Sequence, residues 1–354
     1  MAVAVSGAVK DYAWGMVDGM VPWTGRGTGR PQAELWFGVH PSGPSPTLTG
    51  STADVALADH RVPLMVKLLA AAHPLSIQLH PDADLAESGY ARQAGGQGLY
   101  SDPAEKTEMI VAMSDFQALA GWRDTESAAR VLGNLGYPRP ILAAAAAAEW
   151  ADAARMIMAG MPSTGPWDPS RVRRALESDD PGEAAALGDA AAVYPTDPGL
   201  GVAAILAYHR LSPGEAMFVP AGVPHAYLRG VALEVMTSSD NVLRLGLTHK
   251  DVAVAEALRA LRLDRAPEVL TDPGPKHPSG APFRVDLQRG VDQVLPTGRY
   301  RVVLAVDGPV DVAIGMEEVA LEIGQGLLIP ATDPGASVRS AAMVALVEAT
   351  SSPT

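Results

Sequence analysis

Polar side chains occur at alternate positions near the end of the apolar segment PLMVKLLAAAHPLSIQLHPD (63–82). In an extended segment the side chains point alternately to the two faces, so Ser76, Gln78 and His80 would share one face. Burying an amide and an imidazole there is costly unless a partner compensates them, and a metal ion is one such partner. The pattern therefore indicates either metal ligands inside a sheet or a strand that ends in solvent at HPD.

A second stretch, GEAMFVPAGVPHAY (214–227), places a histidine after a glycine turn and a Pro/Gly corner. This spacing is similar to the second half of the cupin metal motif, in which the corner directs His225 into a β-barrel. In the first half, Gln-x-His would be a variant of the usual His-x-His, and EKTEM (105–109) would supply a carboxylate. Taken singly, each histidine could be a hydrogen-bonding residue and the glutamate a solvated one. Their cupin-like order favours four metal ligands, namely Gln78, His80, Glu108 and His225.

The composition limits the kinds of partner. Cysteine is absent, so any metal must use nitrogen and oxygen donors, and a set with two imidazoles and one carboxylate suits zinc or another divalent first-row ion. The net charge of −13 argues against non-specific binding to nucleic acid or an anionic membrane surface. An anionic substrate would need a local basic cluster. No 18-residue apolar span occurs, so we expect a cytoplasmic protein.

The predicted secondary structure around these residues changes from β to α and back along the chain. With 354 residues, the chain is long enough for two or three domains. We predict a mostly β fold with an α insertion: a cupin-type jelly-roll barrel as the catalytic domain, an inserted helical domain and a second, C-terminal cupin-like domain. GEAMFVPA and GQGLLIPA (324–331) share the pattern Gly, five residues, Pro, Ala, and this internal similarity supports two related β domains. The second copy lacks a following histidine, so we expect no metal ligands there. The predicted boundaries are 1–115 and 201–262 for the catalytic barrel, 116–200 for the helices and 263–354 for the C-terminal domain.

Several motifs along the chain resemble those of one known family, the type I mannose-6-phosphate isomerases. The resemblance runs from YAWG (12–15) to LTHKDV (247–252) and is weaker in the C-terminal domain. The intervening segments are PQAELWFGVHPSGPS, PLMVKLLAAAHPLSIQLHPD, KTEM, YPTDPG, GEAMFVPAGVPHAY and EVMTSSDNVLRLGLTHKDV. The resemblance implies one zinc ion per chain held by the four candidate ligands. It also implies reversible conversion of mannose 6-phosphate into fructose 6-phosphate.

The resemblance also suggests which residues carry the reaction. Aldose–ketose isomerisation moves a proton between C1 and C2, and negative charge builds on the sugar oxygens of a cis-enediol(ate). Arg244 is the residue that we expect to stabilise this charge, although it could instead form a structural salt bridge with Asp240 or Glu234. Candidates for the proton shuttle are Lys106, Glu234 and Asp240, and the sequence does not rank them.

The expected partner is a small sugar phosphate, with no nucleic acid or membrane, and the protein should be a monomer or a weak homodimer. Its phosphate needs local donors, because the chain as a whole is acidic. The available groups are Ser76, Lys106, Arg244 and Lys250. Trp14 and Glu34 would line the pocket or pack against loops, and Tyr227 would hydrogen-bond sugar hydroxyls.

One motif departs from the family. EKTEM has Glu105 and Thr107 where the family often has histidine and proline, so a role of that histidine in ring opening is in doubt here. If this segment is extended, Glu105 and Thr107 point away from the metal. Two alternative functions remain at this stage: another metal-dependent cupin enzyme such as an oxygenase, and a non-catalytic sugar-phosphate sensor.

Overall fold

The computed structural model describes residues 1–93, 98–160, 165–177 and 180–350. The described β-strands are β1 (Val3–Ser6), β2 (Ala8–Lys10), β3 (Glu34–Phe37), β4 (Leu64–Ala71), β5 (Gln78–Leu79), β6 (Glu108–Ala112), β7 (Phe116–Trp122), β8 (Leu206–Leu211), β9 (Ala216–Val219), β10 (His225–Thr237), β11 (Leu243–Arg244), β12 (Glu268–Leu270), β13 (Phe283–Leu295), β14 (Arg301–Ala305), β15 (Val310–Ile314), β16 (Glu317–Leu321), β17 (Gln325–Ile329) and β18 (Ala336–Ala349). The described helices are α1 (Val21–Thr24), α2 (Ala53–Ala56), α3 (Ala83–Arg92), α4 (Thr125–Asn134), α5 (Arg139–Ala146), α6 (Trp150–Met158), α7 (Pro169–Leu176), α8 (Pro181–Val193), α9 (Gly199–Ala203) and α10 (Val254–Arg259).

The long strand β10 organises the catalytic barrel. Its second half lies between β4 and β6, whereas its first half pairs with β5 and β7. Between the halves the register shifts, and Gly230 has a φ of +126°, a conformation that residues with a Cβ rarely adopt. A Cβ there would also lie 2.7 Å from the carbonyl oxygen of Asp115. The glycine thus allows one strand to serve both halves of the barrel.

Strand alternation gives this barrel two different faces. Leu68 on β4, Val111 on β6 and Val235 on β10 belong to a core shared with the C-terminal sheet. The alternate positions point into the barrel, where Leu69 and Ile110 form a separate apolar cluster. Polar residues on this inner face lie at one end of the barrel, and they form the candidate site described below.

The helical segment α4–α9 lies between β7 and β8 and forms its own core against the barrel. Asp124 caps α4 by accepting a hydrogen bond from the backbone N–H of Ser127 at 2.8 Å. The sequence placed the start of this segment at residue 116, but Phe116–Trp122 is strand β7, paired with both β10 and β8. The sequence did not indicate that this apolar run is a strand, because it stands directly before a helical segment.

The C-terminal sheet contains seven strands, and one of them comes from the other end of the chain. Strand β1 pairs with β17, so Ser6 lies opposite Gln325. Conversely, β12 pairs with β9 of the catalytic barrel. The division into four segments stays a prediction. Two short strands, β1 and β12, each pair with a strand of the domain to which the predicted boundaries do not assign them.

The repeated GxxxxxPA segments form the same element in both β domains. Gly214 and Gly324 have φ values of +90° and +77°, and they precede β9 and β17. The architecture is therefore the expected one, mostly β with two jelly-roll-like β domains and a helical insertion. Among the described residues, no helix combines the length and hydrophobicity that crossing a membrane requires.

Candidate metal centre and active site

Three buried side chains converge at the inner end of the catalytic barrel. His80 Nε2 lies 3.1 Å from Glu108 Oε2, and His225 Nε2 lies 2.9 Å from Glu108 Oε1. All three donor atoms fall within 4.8 Å of one another. Among the described residues, His225 Nε2 nevertheless makes no hydrogen bond of acceptable geometry. A buried nitrogen left without a partner beside an imidazole and a carboxylate is an arrangement that a zinc ion fits.

Backbone carbonyls orient both imidazoles. His80 Nδ1 is 2.8 Å from the carbonyl oxygen of Asn241, and His225 Nδ1 is 3.0 Å from that of Val223. Each Nδ1–H can therefore donate to a carbonyl and leave Nε2 free to bind a cation. Burial, reinforced by the positive charge of Lys106, lowers the pKa of His80 to about 3, so this imidazole is neutral as a metal ligand must be.

Glu108 is held by several donors at once. Lys106 Nζ lies 3.2 Å from Oε2, and the Tyr227 hydroxyl donates to Oε1 at 2.7 Å. Burial alone would raise the pKa of Glu108, but Lys106 and the two imidazoles outweigh it and hold the pKa well below its usual range. The sequence assigned Tyr227 to sugar hydroxyls. It faces the barrel interior as expected, it is buried and its hydroxyl donates to Glu108, so its contact with sugar hydroxyls stays a prediction.

Gln78, the fourth expected ligand, lies beside this cluster. It is directly opposite His225 across the β5–β10 pair and opposite Arg244 across the β5–β11 pair. Its Nε2 donates to Ser76 Oγ at 3.3 Å, so the two side chains share a face as the alternation predicted. The role of Gln78 as a metal ligand stays a prediction.

A cavity of about 280 Å³ adjoins the cluster at Lys106 and Gln78, and most of the predicted site residues line it. Those that line it are Trp14, Glu34, Ser76, Gln78, Lys106, Asp240, Arg244 and Lys250. Burial, together with the nearby Arg244, lowers the pKa of Lys250. Two cationic groups therefore lie close together in an acidic protein, which is what an anionic substrate group requires.

Lys67 also lines this cavity, and the sequence analysis missed it. It lies directly opposite Glu234 in the β4–β10 pair, with Nζ 2.8 Å from Glu234 Oε2 and 3.9 Å from Glu34 Oε1. Burial alone would lower the pKa of Lys67, but the two carboxylates outweigh it and hold the pKa well above its usual range. A lysine within the apolar run LMVKLLAA was the available signal, because a buried lysine must be paired.

Arg244 is not part of the structural ion pair that the sequence allowed. Glu234 pairs with Lys67, and Asp240 lies 3.4 Å from His40 Nε2. Within the ranges that the structure describes, Arg244 makes no ion pair. Burial lowers its pKa and Asp240 opposes the shift, so the guanidinium remains a fixed positive charge facing the cavity.

The residues at the departure from the family motif lie on the opposite side of the chain. Glu105 and Thr107 line a separate cavity of about 590 Å³ near residues 265–282, and Lys106 between them lines the active-site cavity. Glu105 forms an ion pair with Arg265 at 3.3 Å. The expectation that Glu105 and Thr107 point away from the metal is therefore confirmed.

Comparison with known proteins identifies the family. The model of the type I phosphomannose isomerase catalytic domain matches residues 3–125. The mannose-6-phosphate isomerase of Escherichia coli K12 is 32% identical over 299 residues, covering 75% of this chain and 76% of that protein. The Schizosaccharomyces pombe enzyme is 30% identical over 286 residues, which are 68% of this chain and 69% of its own.

Two solved structures of the same family superimpose on nearly all of the chain. A mutant phosphomannose isomerase from Salmonella typhimurium superimposes with a TM-score of 0.84 at 25% identity, covering 99% of this chain and 100% of the other. A zinc-bound mannose 6-phosphate isomerase superimposes with a TM-score of 0.82 at 26% identity and the same coverage. With the convergent His80, Glu108 and His225 at the predicted positions, the chain belongs to the type I mannose-6-phosphate isomerase family.

Proposed function

We propose that this protein is a zinc-dependent isomerase that interconverts mannose 6-phosphate and fructose 6-phosphate through a cis-enediol(ate). The observation that carries the proposal is the convergence of His80, Glu108 and His225 beside a cavity lined by cationic side chains, in a chain of this family. Gln78 would be the fourth ligand, because its strand brings it next to His225. Zinc bound there would act as a Lewis acid that stabilises negative charge on the sugar oxygens at C1 and C2.

The cavity offers separate groups for the two ends of the substrate. Arg244 on β11, Lys250 after it and Ser76 just before the paired strand β5 line the same cavity, where they could hold the phosphate dianion. Fixing that end would leave C1 and C2 of the open sugar near Lys106 and the metal ligands. Arg244 could also stabilise charge that develops on the sugar, so its removal should affect turnover more than fold.

The three candidates for the proton shuttle differ in their surroundings. Burial raises the pKa of Glu234, and Lys67 opposes the shift while occupying one of its oxygens at 2.8 Å. Burial also tends to raise the pKa of Asp240, but His40 outweighs it and the pKa is lowered, which weakens Asp240 as a base. Lys106 lines the cavity beside Glu108, so it is the residue we favour for holding or moving a proton at the sugar oxygens.

The alternatives explain fewer features. A cupin oxygenase would account for the donor cluster, but not for Arg244 and Lys250 in the cavity beside it. A sugar-phosphate sensor would account for those cationic groups, but it would not need both a metal site and Lys106 beside Glu108. Turnover of mannose 6-phosphate by purified protein, before and after chelation and after return of zinc, tests all three functions. Turnover that is lost on chelation and restored by zinc is expected. Binding without turnover would favour the sensor, and iron-dependent oxygen uptake would favour the oxygenase.

A cytoplasmic location and a monomer or weak homodimer remain predictions for this chain. Size-exclusion chromatography with light scattering at micromolar concentration tests the second. A stable assembly larger than a dimer would contradict it.

A further inference from the structure

Thr237, at the end of β10, makes three hydrogen bonds to Glu105 and Thr107, the residues on either side of Lys106 just before β6. Its hydroxyl accepts a hydrogen bond from the Thr107 N–H at 3.1 Å and donates one to the Glu105 carbonyl at 3.0 Å. The backbone N–H of Thr237 also donates to the Thr107 carbonyl at 3.1 Å. These contacts bracket Lys106, the candidate proton-transfer residue, on both sides.

Lys106 differs from the neighbouring metal ligand in how its backbone is fixed. Glu108 lies within β6, opposite Val219 on one side and Met236 on the other. Lys106 precedes the first paired residue of that strand, so the ladder does not extend to it. Its backbone position therefore depends on contacts to the residues on either side.

The ion pair that Glu105 forms with Arg265 does less to fix the backbone of this segment. Glu105 and Arg265 are about one-third exposed, and an ion pair in that setting contributes little. The Thr237 hydrogen bonds are partly buried, and losing them would leave a backbone N–H and a carbonyl without partners. The residue type at position 107 makes the Thr237 hydroxyl necessary. A proline there would have no backbone N–H, whereas Thr107 has an N–H that requires an acceptor.

We propose that Thr237 is a positioning residue that fixes Lys106 for the isomerase reaction, and this inference rests on the function proposed above. The Thr237 hydroxyl hydrogen-bonds to a backbone group on each side of Lys106. It thereby sets where the Lys106 ammonium group lies in the cavity. An error of about 1 Å in the position of a reacting group can lower a rate by about 100-fold, so a partly loosened Lys106 should lower kcat by about tenfold.

The test compares three variants at the steady state. Thr237→Val keeps the shape of the side chain and removes the hydroxyl, and Thr237→Ser keeps the hydroxyl. Thr24→Val is the matched control, because the Thr24 hydroxyl likewise donates to a carbonyl, that of Met20, and accepts from a backbone N–H, that of Arg26. We expect Thr237→Val to lower kcat about tenfold with zinc content unchanged, and Thr237→Ser and Thr24→Val to stay within about twofold of the unsubstituted protein. Thr237→Ala carries the same expectation if Thr237→Val does not fold.

A second measurement separates positioning from a general structural effect. In a Lys106→Ala background, Thr237→Val should have no further effect on kcat, since the group it positions is gone. An equal loss in both backgrounds, or unchanged kcat in Thr237→Val, would overturn the inference. The unsubstituted protein is assayed alongside: if it does not isomerise mannose 6-phosphate, the proposed function fails first, whereas active unsubstituted protein with active Thr237→Val refutes this inference alone.

Discussion

Replacing Lys67 by methionine should destabilise the protein in a pH-dependent way. The lysine is buried between two buried carboxylates, those of Glu234 and Glu34, with side-chain exposures of 12%, 5% and 7%. Methionine fills a similar volume but carries no charge, so both carboxylates lose their cationic partner. Removing one partner of a buried ion pair typically costs about 3–5 kcal/mol, and we expect a loss of this size in the free energy of unfolding at pH 8.

The pH dependence follows from the pKa of Glu234. Burial already raises that pKa, and without Lys67 it should rise further. A carboxyl with a raised pKa in the folded state binds its proton more tightly folded than unfolded, so its contribution to stability falls as pH rises toward the folded pKa. The deficit of Lys67→Met relative to the unsubstituted protein should therefore shrink from pH 8 to pH 5, by at least about 1 kcal/mol if the pKa rises by one unit.

Urea unfolding of both proteins at fixed zinc concentration, followed by tryptophan fluorescence at pH 5, 6.5 and 8, measures this deficit. Lys276→Met is the control, because Lys276 is also largely buried but donates to the backbone carbonyls of Leu270 and Asp272. Its deficit should not vary with pH, and Lys67→Met/Glu234→Gln should recover at least half of the loss at pH 8. A deficit for Lys67→Met that is as flat with pH as that of the control would refute the reasoning.

Three further substitutions test the site itself. His225→Ala should abolish zinc binding and nearly all turnover, and zinc retained at one per chain by elemental analysis would remove His225 from the ligand set. Arg244→Ala should keep zinc and fold yet lose at least ~100-fold in turnover, with poor rescue by lysine, whereas near-normal turnover would make Arg244 structural. Glu105→Ala should cost less than ~10-fold with cyclic substrate, under about 1.4 kcal/mol of barrier, because Glu105 pairs with Arg265 outside the active-site cavity. A loss of ~100-fold or more in both Glu105→Ala and Glu105→Gln, with zinc retained, would assign it an acid–base role.

Local alternation was sufficient to predict the parts of the site that come from single strands. The shared face of Ser76 and Gln78, and the opposite directions of Glu105 and Lys106, follow from the period of two in an extended chain. These predictions needed no knowledge of which strands are neighbours.

Features that depend on strand pairing could not be predicted in the same way. Lys67 gains its partner Glu234 because β4 lies antiparallel to β10, and nothing in either segment specifies that register. Tyr227 was placed on the correct face, but its partner Glu108 comes from a different strand, so this hydrogen bond could not be predicted. The pairing of β1 with β17 in the C-terminal sheet could not be predicted for the same reason, because a short apolar strand carries no information about which sheet edge it joins.

The placement of β1 has a consequence for how the chain is assembled during synthesis. Only Gly7 separates β1 from β2, yet the two strands belong to different sheets, and Ser6 finds its partner at Gln325. One edge of β1 can pair early, because the Ser6 N–H donates to the Pro46 carbonyl and the Leu48 N–H donates to the Ala4 carbonyl. The edge that faces β17 stays open on the ribosome until residues 325–328 have emerged. Meanwhile its exposed backbone groups can pair with other nascent chains. A ribosome-bound chain that stops before β17 therefore leaves this edge of β1 without its partner strand.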